Sequence, residues 1–285
     1  MTGEPRTHLV ETDWLAEHLG SPGVIVVDGS LHLPTSGRDA KAEFLAEHIP
    51  GAVFFDIDAI SDKSNPLPHM LPSTVQFASQ MKKLGVGDGM RVVAYDSEGL
   101  YSAARVWWML RIMGHRDVVV LNGGLKKWKA EGRSVEDGPA APRQQSHFTP
   151  RFNSGLVADK ADVQRVLGSG AAQVIDARAA ARYRGEAIEP RPGLRSGHMP
   201  GALNLPFADL VAADGTLKSA TELAARFDAA GIARNRPIVT SCGSGVTACV
   251  VSLALAEIGH PDSAVYDGSW VEWGHESAGT EVVKG

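Results

Sequence analysis

Residues 237–259 read PIVTSCGSGVTACVVSLALAEIG, a segment whose pattern indicates the fold class. The segment Pro237–Ser241 is short, apolar and β-branched, which predicts a strand. The segment Gly245–Gly259 is long and apolar and ends in glycine, which predicts a helix. Cys242 stands directly between the two. A strand that leads into a helix in this way is typical of a parallel α/β sheet, where ligands gather at the carboxyl ends of the strands.

The same alternation of strand and helix patterns continues through the second half of the chain. Gln173–Asp176 is a short β-branched run that predicts a strand, and Ser263–Tyr266 predicts another. Ala220–Ala230 predicts a helix, because Leu223 and Phe227 are four positions apart and a glycine follows. The second half is therefore expected to form an α/β domain with a mainly parallel sheet flanked by helices.

The first half of the chain repeats the second at a nearly constant spacing. The sequence HIPGA at 48–52 returns as HMPGA at 198–202, which is 150 positions later. The pair GH at 114–115 returns at 259–260, which is 145 positions later. Matches in one order at nearly one spacing, over most of the chain, indicate a duplicated domain. We therefore expect two tandem domains of the same α/β class.

The expected boundaries follow from a polar, proline-containing segment between the two copies. Residues 136–145 read EDGPAAPRQQ, a composition typical of a linker. We expect a first domain over residues 1–138, a linker over 139–152 and a second domain over 153–285.

Composition excludes several classes of partner. The 285 residues are 44% hydrophobic and 21% charged, as in a soluble globular protein. The formal net charge of −5 gives no electrostatic argument for binding nucleic acid. No apolar run approaches the roughly 20 residues that span a membrane, and the amino terminus has no apolar signal-like segment. The two cysteines, Cys242 and Cys249, offer no disulfide framework, so we expect a reducing compartment, the cytoplasm.

The residues around Cys242 suit a reactive thiol. Only the thiolate is nucleophilic, so something must stabilise the anion. Glycines in Gly243-Ser244-Gly245 allow the backbone to turn its N–H groups inward, and the following helix N-terminus favours an anion. The hydroxyls of Ser244 and Thr247 can add hydrogen-bond donors. The alternative is that Cys242 is a small buried residue beside a glycine turn.

Other cysteine chemistries fit less well. A cysteine-based phosphatase needs an arginine six positions after the cysteine, and Ala248 stands there. A metal site needs more soft or imidazole ligands near Cys242, so we expect neither a metal nor a cofactor. Nothing in the local sequence indicates a papain-like pairing with histidine. Cys249 lies among apolar residues of the predicted helix and is expected in the core.

The loop CGSGVT at 242–247 resembles the active-site loop of 3-mercaptopyruvate sulfurtransferases, within the rhodanese superfamily. The resemblance covers about residues 8–280. It includes the following stretches: FFDID at 54–58, HMLP at 69–72, VIDAR at 174–178, RYRG at 182–185, EPR at 189–191, GHMPGA at 197–202 and YDGSWVEW at 266–273.

This resemblance implies two tandem rhodanese-like domains and a sulfur-transfer reaction. Cys242 would take sulfur from 3-mercaptopyruvate, a small-molecule donor, as a persulfide, and pyruvate would leave. An acceptor thiol, such as that of thioredoxin, or cyanide would then take the sulfur. Arg182 and Arg191 occupy the family's substrate-binding positions, where forked hydrogen bonds suit carboxylate and keto oxygens. The remaining binding positions are those of the loop: Gly243, Gly245, Val246 and Thr247.

The residues of the loop also indicate which sulfur donor the protein prefers. Thiosulfate-preferring rhodaneses carry cationic residues where this chain has Gly243 and Ser244, which favours 3-mercaptopyruvate here. Two alternatives stay open. The chain could be a thiosulfate sulfurtransferase, or a non-catalytic module that carries persulfide or binds an anion.

Ser244, His69 and Asp58 match a family arrangement that implies a hydroxyl–imidazole–carboxylate relay. Such a relay would require the first domain to reach the active site of the second. Alternatively, His69 packs at the domain interface and Asp58 caps a turn. Asp56 and Asp62 compete for the carboxylate role.

The first domain is expected to be non-catalytic. Aligning the strand before Cys242 with VVAY at 92–95 places Asp96 opposite the cysteine. A carboxylate cannot hold a persulfide, and it would repel an anionic donor. We therefore expect the first domain to be structural.

Overall fold

The computed structural model describes residues 7–285, which form two compact units. Each unit takes one short segment from the opposite half of the sequence, a feature that the sequence does not indicate. The expected boundaries at 138/139 and 152/153 stay a prediction, and residues 1–6 of the expected first domain lie outside the described residues. The first unit contains residues 7–63, Leu71–Asn153 and Ala213–Leu217, and the second contains Ser64–Met70, Ser154–Ala212 and Lys218–Gly285.

The first unit alternates strands and helices. Its strands are β1 (Leu9–Val10), β2 (Val24–Asp28), β3 (Val53–Phe54), β4 (Arg91–Tyr95) and β5 (Val118–Leu121). Its helices are α1 (Thr12–His18), α2 (Ala40–Ala46), α3 (Ile57–Ile60), α4 (Thr74–Leu84), α5 (Ala103–Ile112) and α6 (Gly124–Ala130). A 3₁₀ turn spans Pro34–Ser36.

The second unit repeats this order of strands and helices, except that a 3₁₀ turn stands where the first unit has α3. Its strands are β6 (Val157–Ala158), β7 (Gln173–Asp176), β8 (Leu203–Asn204), β9 (Ile238–Ser241) and β10 (Ala264–Tyr266). Its helices are α7 (Lys160–Ser169), α8 (Ala180–Tyr183), α9 (Ala220–Ala229), α10 (Ala248–Glu257) and α11 (Ser269–Trp273). 3₁₀ turns span Ser154–Leu156 and Phe207–Leu210.

The two sheets have one topology. The strand orders are β1-β5-β4-β2-β3 and β6-β10-β9-β7-β8, and the strands pair in parallel. In register, Asp28 stands beside Tyr95 in the first sheet and Asp176 stands beside Ser241 in the second. The predicted fold class and the internal duplication are thereby confirmed. The central strands β4 and β9 end at equivalent places, directly before Asp96 and Cys242.

Helix α10 packs inside the second unit and is buried over Ala248–Ala256. It begins three residues later than the sequence predicts, because Gly245 has φ of 76°, a left-handed conformation that a helix cannot contain. Although α10 is apolar, none of the helices within residues 7–285 is long and apolar enough to cross a membrane.

Helix α9 shows how closely local signals place an element. Ser219 accepts from the Glu222 N–H and Glu222 reaches back to the Ser219 N–H, so the helix begins with a capping box. Leu223 and Phe227 are 1% and 0% exposed, as their spacing of four predicts. Burial of each of these side chains contributes roughly 1.5–3 kcal/mol to the free energy of unfolding.

Candidate active site

Cys242 lies at the carboxyl end of β9, the strand between β7 and β10, as the sequence predicts. Its side chain is almost fully buried. Its peptide groups are held on both sides. The Cys242 N–H donates to Ser269 Oγ at 3.2 Å, and the Cys242 carbonyl accepts from the Trp270 N–H at 3.0 Å. The backbone on both sides of the Cys242 side chain is therefore fixed.

This loop, residues 243–247, connects β9 to α10. Gly245 supplies the left-handed backbone, and Ser244 and Val246 are buried. Within residues 7–285, the backbone N–H groups of Ser244, Val246 and Thr247 donate to no protein acceptor. Backbone N–H groups collected by a loop at a helix N-terminus bind anions. The loop is thus suited to a negatively charged group near Cys242.

The first unit contains a copy of this loop with its anion built in. The carboxylate of Asp96, at the position equivalent to Cys242, accepts from five backbone N–H groups. Oδ1 accepts from Glu98 at 3.0 Å and Gly99 at 2.9 Å, and Oδ2 accepts from Tyr101, Ser102 and Ala103 at 2.8 Å each. The N–H groups of such a loop therefore converge on an anion carried by its first residue.

Arg182 lies beside the Cys242 loop and is fixed by a buried acid. Its Nη2 donates to Glu189 Oε2 at 2.5 Å and its Nε donates to Glu189 Oε1 at 3.3 Å. A Cβ atom at Gly243 would stand 3.2 Å from Nη2 of Arg182, so the guanidinium can approach the loop because glycine lacks a side chain. The Arg182 side chain keeps 23% of its surface exposed and can meet a ligand.

Arg178 supports this arrangement from inside the unit. Its guanidinium forms ion pairs with Asp176 at 2.6 Å and Glu189 at 2.8 Å and lies 4.0 Å over the Trp270 ring. Burial opposes the charge, but the two carboxylates outweigh burial and raise the pKa of Arg178 above its usual value. Glu189 is therefore shared between Arg178 and Arg182.

Arg191 is held by His69. Its Nη2 lies 3.2 Å from Nε2 of His69. A guanidinium has no acceptor, so Nε2 must accept and the neutral ring carries its proton on Nδ1. Arg191 thus brings a second guanidinium to the second unit beside Arg182, and a guanidinium suits an anionic ligand.

His69 has an unusual backbone conformation. It is 7% exposed and has φ of 63°, a region that residues other than glycine rarely adopt. Such strain is found at functional sites more often than elsewhere. His69 belongs to the segment Ser64–Met70, which is part of the second unit. The histidine and Arg191 therefore lie in the same unit.

Comparison with known proteins assigns both halves of the chain to one domain family. The model of the rhodanese-like domain matches residues 11–131 and 159–276. The chain belongs to the rhodanese family. Rhodanese domains thus account for both compact units, and each carries one copy of the loop.

Two curated relatives and one solved structure match nearly the whole chain. The 3-mercaptopyruvate sulfurtransferase of Escherichia coli K12 is 47% identical over 269 residues, covering 94% of this chain and 95% of that protein. The thiosulfate sulfurtransferase of Bos taurus is 42% identical, covering 94% and 92%. The crystal structure of SseA from Escherichia coli, a 3-mercaptopyruvate sulfotransferase, is 44% identical. It matches with a TM-score of 0.85 and covers 93% of this chain and 99% of that one.

The remaining predicted residues lie as follows. Asp58 belongs to the first rhodanese unit, within α3, where its backbone carbonyl accepts from Ser61 Oγ at 2.7 Å. Asp56 caps that helix, since its Oδ1 accepts from the Ala59 N–H at 2.8 Å. A relay that includes Asp58 stays a prediction. Cys249 is fully buried and its thiol donates to the Gly245 carbonyl at 3.3 Å.

Two residues of this rhodanese site are not singled out by the sequence. In the sequence, Glu189 is an acidic residue in an irregular stretch with no motif of its own. Its contacts in the structure show that it pairs with both Arg178 and Arg182. The sequence around Ser269 predicts only a turn. Gly124 at the equivalent position of the first domain could have indicated that this turn needs a left-handed residue. As for metals, residues 7–285 contain no group of three or more His, Cys, Asp or Glu side chains that could hold an ion.

Proposed function

We propose that this rhodanese-family protein moves the sulfur of 3-mercaptopyruvate to a thiol or cyanide acceptor through a persulfide on Cys242, releasing pyruvate. One observation carries the proposal. The loop after Cys242 is the counterpart of the loop that surrounds the Asp96 carboxylate with five N–H groups. A loop built this way stabilises a thiolate or a persulfide anion on its first residue.

The first half-reaction balances without any outside reagent. The Cys242 thiolate attacks the sulfur of 3-mercaptopyruvate, an S–S bond forms, and the donor's C–S bond breaks. The electron pair of that bond passes to the donor carbon, giving the enolate of pyruvate. The proton from the donor thiol ends on that carbon, so the products are pyruvate and the Cys242 persulfide anion.

We assign the donor's oxygen atoms to Arg182 and Arg191. A planar guanidinium binds a carboxylate or a keto oxygen through paired N–H donors. Glu189 already holds two nitrogens of Arg182, which fixes the direction of the third, Nη1. The exposed part of Arg182 beside Gly243 supports contact with a donor whose sulfur reaches Cys242. Ser244, Val246 and Thr247 would contribute the loop N–H groups, and Gly245 gives the loop its left-handed turn.

We further propose that the donor releases His69 for catalysis. Without donor, Nε2 of His69 accepts from Arg191. A carboxylate is a stronger acceptor for a guanidinium than a neutral imidazole, so a bound donor would draw Arg191 away. Nε2 could then accept from the hydroxyl of Ser244, the step that the predicted relay of Ser244, His69 and Asp58 requires.

The second half-reaction returns the enzyme to its starting state. An acceptor thiolate attacks the outer sulfur of the persulfide, the S–S bond breaks, and the electron pair returns to Cys242. The acceptor leaves as a persulfide. We propose a small dithiol protein of the thioredoxin type as the acceptor. We propose the cytoplasm as the compartment, because both cysteines are free thiols.

A thiosulfate sulfurtransferase is the second candidate, since the bovine relative with that name is nearly as similar as the bacterial 3-mercaptopyruvate enzyme. Overall identity therefore does not decide the donor. The uncharged Gly243 and Ser244 favour 3-mercaptopyruvate, because a compact dianion would gain more from cations in the loop. A persulfide carrier without turnover on small donors is the third candidate.

The replacement Cys242→Ser tests the proposal. Turnover should vanish and no sulfur should be incorporated into the peptide that contains residue 242. The matched control is Cys249→Ser, which changes the other buried thiol and should retain turnover. Sulfur transfer that persists in Cys242→Ser would refute the proposed nucleophile. Stoichiometric loading of the wild type without turnover would favour the carrier.

A further inference from the structure

The backbone of Cys242 is fixed by a turn that the proposed mechanism does not otherwise use. This turn, residues 266–271, runs from the last residue of β10 into the first three residues of α11. Its three bonds to Cys242 and Gly243 are Cys242 N–H to Ser269 Oγ at 3.2 Å, Trp270 N–H to the Cys242 carbonyl at 3.0 Å, and Val271 N–H to the Gly243 carbonyl at 2.9 Å. Both peptide groups that flank the cysteine side chain are thus tied to one element.

Only one of these bonds depends on a side chain. The Ser269 hydroxyl donates to the Tyr266 carbonyl at 2.8 Å, which turns its lone pairs toward the Cys242 N–H. Ser241 Oγ also lies 3.4 Å from it. Ser269 is fully buried, so no water competes for the hydroxyl. The hydroxyl is therefore a satisfied and oriented acceptor for the nucleophile's own amide.

The backbone of Ser269 has an unfavourable conformation for a residue with a side chain. Its φ of 48° lies in the left-handed region, where a side chain costs of order 1 kcal/mol or more and glycine costs little. The first unit adopts the same conformation with glycine: Gly124 has φ of 53°, and the next residue, Leu125, donates its N–H to the Asp96 carbonyl at 3.0 Å. The copy that carries Asp96 thus lacks the hydroxyl, and the copy that carries Cys242 has it.

We propose that Ser269 is a positioning residue for the Cys242 nucleophile, retained at a strained position because its hydroxyl holds the cysteine's N–H. The inference rests on the proposed function and deepens it. Fixing the Cys242 peptide fixes the direction of the Cα–Cβ bond, and with it the place of Sγ relative to the loop N–H groups. The same geometry serves both half-reactions, since the same sulfur atom attacks the donor and later leaves the persulfide.

Ser269→Gly and Ser269→Ala are the informative variants. Both remove the hydroxyl, but glycine removes the backbone strain and reproduces the turn of the first unit, whereas alanine keeps the strain. We expect both to slow persulfide formation and persulfide transfer in single-turnover experiments by about tenfold or more, because small misplacements of reacting atoms are costly. The donor concentration at half-maximal rate should change less than about twofold, since Arg182 and Arg191 are untouched.

The matched control is Ser252→Ala. Ser252 is another buried serine of the same unit, in α10, and its hydroxyl pairs with Thr240 Oγ at 2.9 Å. We expect this variant to lose stability and to keep both single-turnover rates. If Ser252→Ala slows both steps as much as the Ser269 variants do, the Ser269 effect reflects general loosening of the core and the positioning role is overturned.

Alkylation of Cys242 separates this inference from the proposed function. The rate of labelling by iodoacetamide, followed on the peptide with residue 242 from about pH 5 to pH 9, requires no sulfur donor. A changed profile in both Ser269 variants supports positioning even if the wild type were inactive with sulfur donors, an outcome that would refute only the proposed function. Unchanged alkylation and unchanged single-turnover rates in folded variants would overturn the role of Ser269.

Discussion

Nη2 of Arg191 lies 3.2 Å from Nε2 of His69, so the base of the proposed relay is also the resting partner of a proposed substrate-binding arginine. The two roles exclude each other at one nitrogen atom. In the proposed mechanism, binding of the donor carboxylate would draw Arg191 away from Nε2 of His69. The relay would then act only when the donor is bound.

Replacing His69 separates its two roles. Asparagine tolerates the left-handed backbone at this position, so His69→Asn should fold. We expect kcat to fall by about 10²-fold, as for loss of a proton-transfer group, with a smaller change in KM. Steady-state kinetics with 3-mercaptopyruvate measure both. A raised KM with unchanged kcat would mean that His69 only holds Arg191 and that the relay is wrong.

Replacing Arg182 tests the recognition of the donor. Lysine keeps the charge in Arg182→Lys but cannot bind Glu189 through two nitrogens while presenting a third. We expect kcat/KM for 3-mercaptopyruvate to fall about 10- to 100-fold, or roughly 1.4–2.7 kcal/mol. The control is Arg184→Lys, because Arg184 is 44% exposed and pairs with Glu186. Equal effects of the two replacements would remove Arg182 from the site.

Asp96 should stabilise the first domain rather than take part in the reaction. In Asp96→Asn, an amide NH₂ group would face N–H donors in place of a carboxylate oxygen, so we expect a loss of about 2–4 kcal/mol in the free energy of unfolding. Asp159→Asn is the control, since asparagine is an equally good cap for α7. Urea unfolding measures both. Unchanged stability in Asp96→Asn would contradict the five-donor arrangement.

The stability of the first domain should also respond to pH through His115. This side chain is 7% exposed, and burial lowers its pKa below the usual value, although its ring nitrogen lies 2.9 Å from the Met90 carbonyl. The unfolded chain then binds the proton more readily than the folded chain. The stabilising contribution is full above the unfolded pKa of about 6.5 and is lost as pH falls toward the folded pKa.

The measurement for His115 is the change in Tm between about pH 7.5 and pH 5, compared in wild type and His115→Gln. The wild type should lose more than the variant over this range, because glutamine does not titrate. An equal loss in both proteins would show that the buried imidazole does not contribute to the pH dependence.

The sequence predicted the elements that depend on local signals. Gln173–Asp176 is β7 as predicted, and α9 ends one residue before the predicted limit because Ala230 is its C-cap. The predicted start of α10 is wrong by three residues, because Gly245 belongs to the loop and not to the helix. Residue patterns do not distinguish these two uses of glycine.

The parts of the site that the sequence missed depend on contacts between distant residues. Nothing local marks Glu189 as the shared partner of two arginines. Asp96 was expected to repel anions, whereas its charge is satisfied by the loop's own N–H groups. The alignment of Asp96 with Cys242 was correct, because both residues directly follow the central strand of a duplicated sheet. The duplication therefore makes the position of Asp96 predictable, whereas its five N–H contacts depend on how the loop folds.

The assignment of 3-mercaptopyruvate as the sulfur donor is tested most directly by kcat/KM for 3-mercaptopyruvate and for thiosulfate with one common acceptor. The uncharged loop at Gly243 and Ser244 and the paired Arg182 and Arg191 predict at least a tenfold preference for 3-mercaptopyruvate, or about 1.4 kcal/mol in transition-state binding. A preference for thiosulfate would leave Cys242 as the nucleophile and contradict the assignment of the donor. If neither donor supports turnover, the proposed sulfurtransferase function is contradicted.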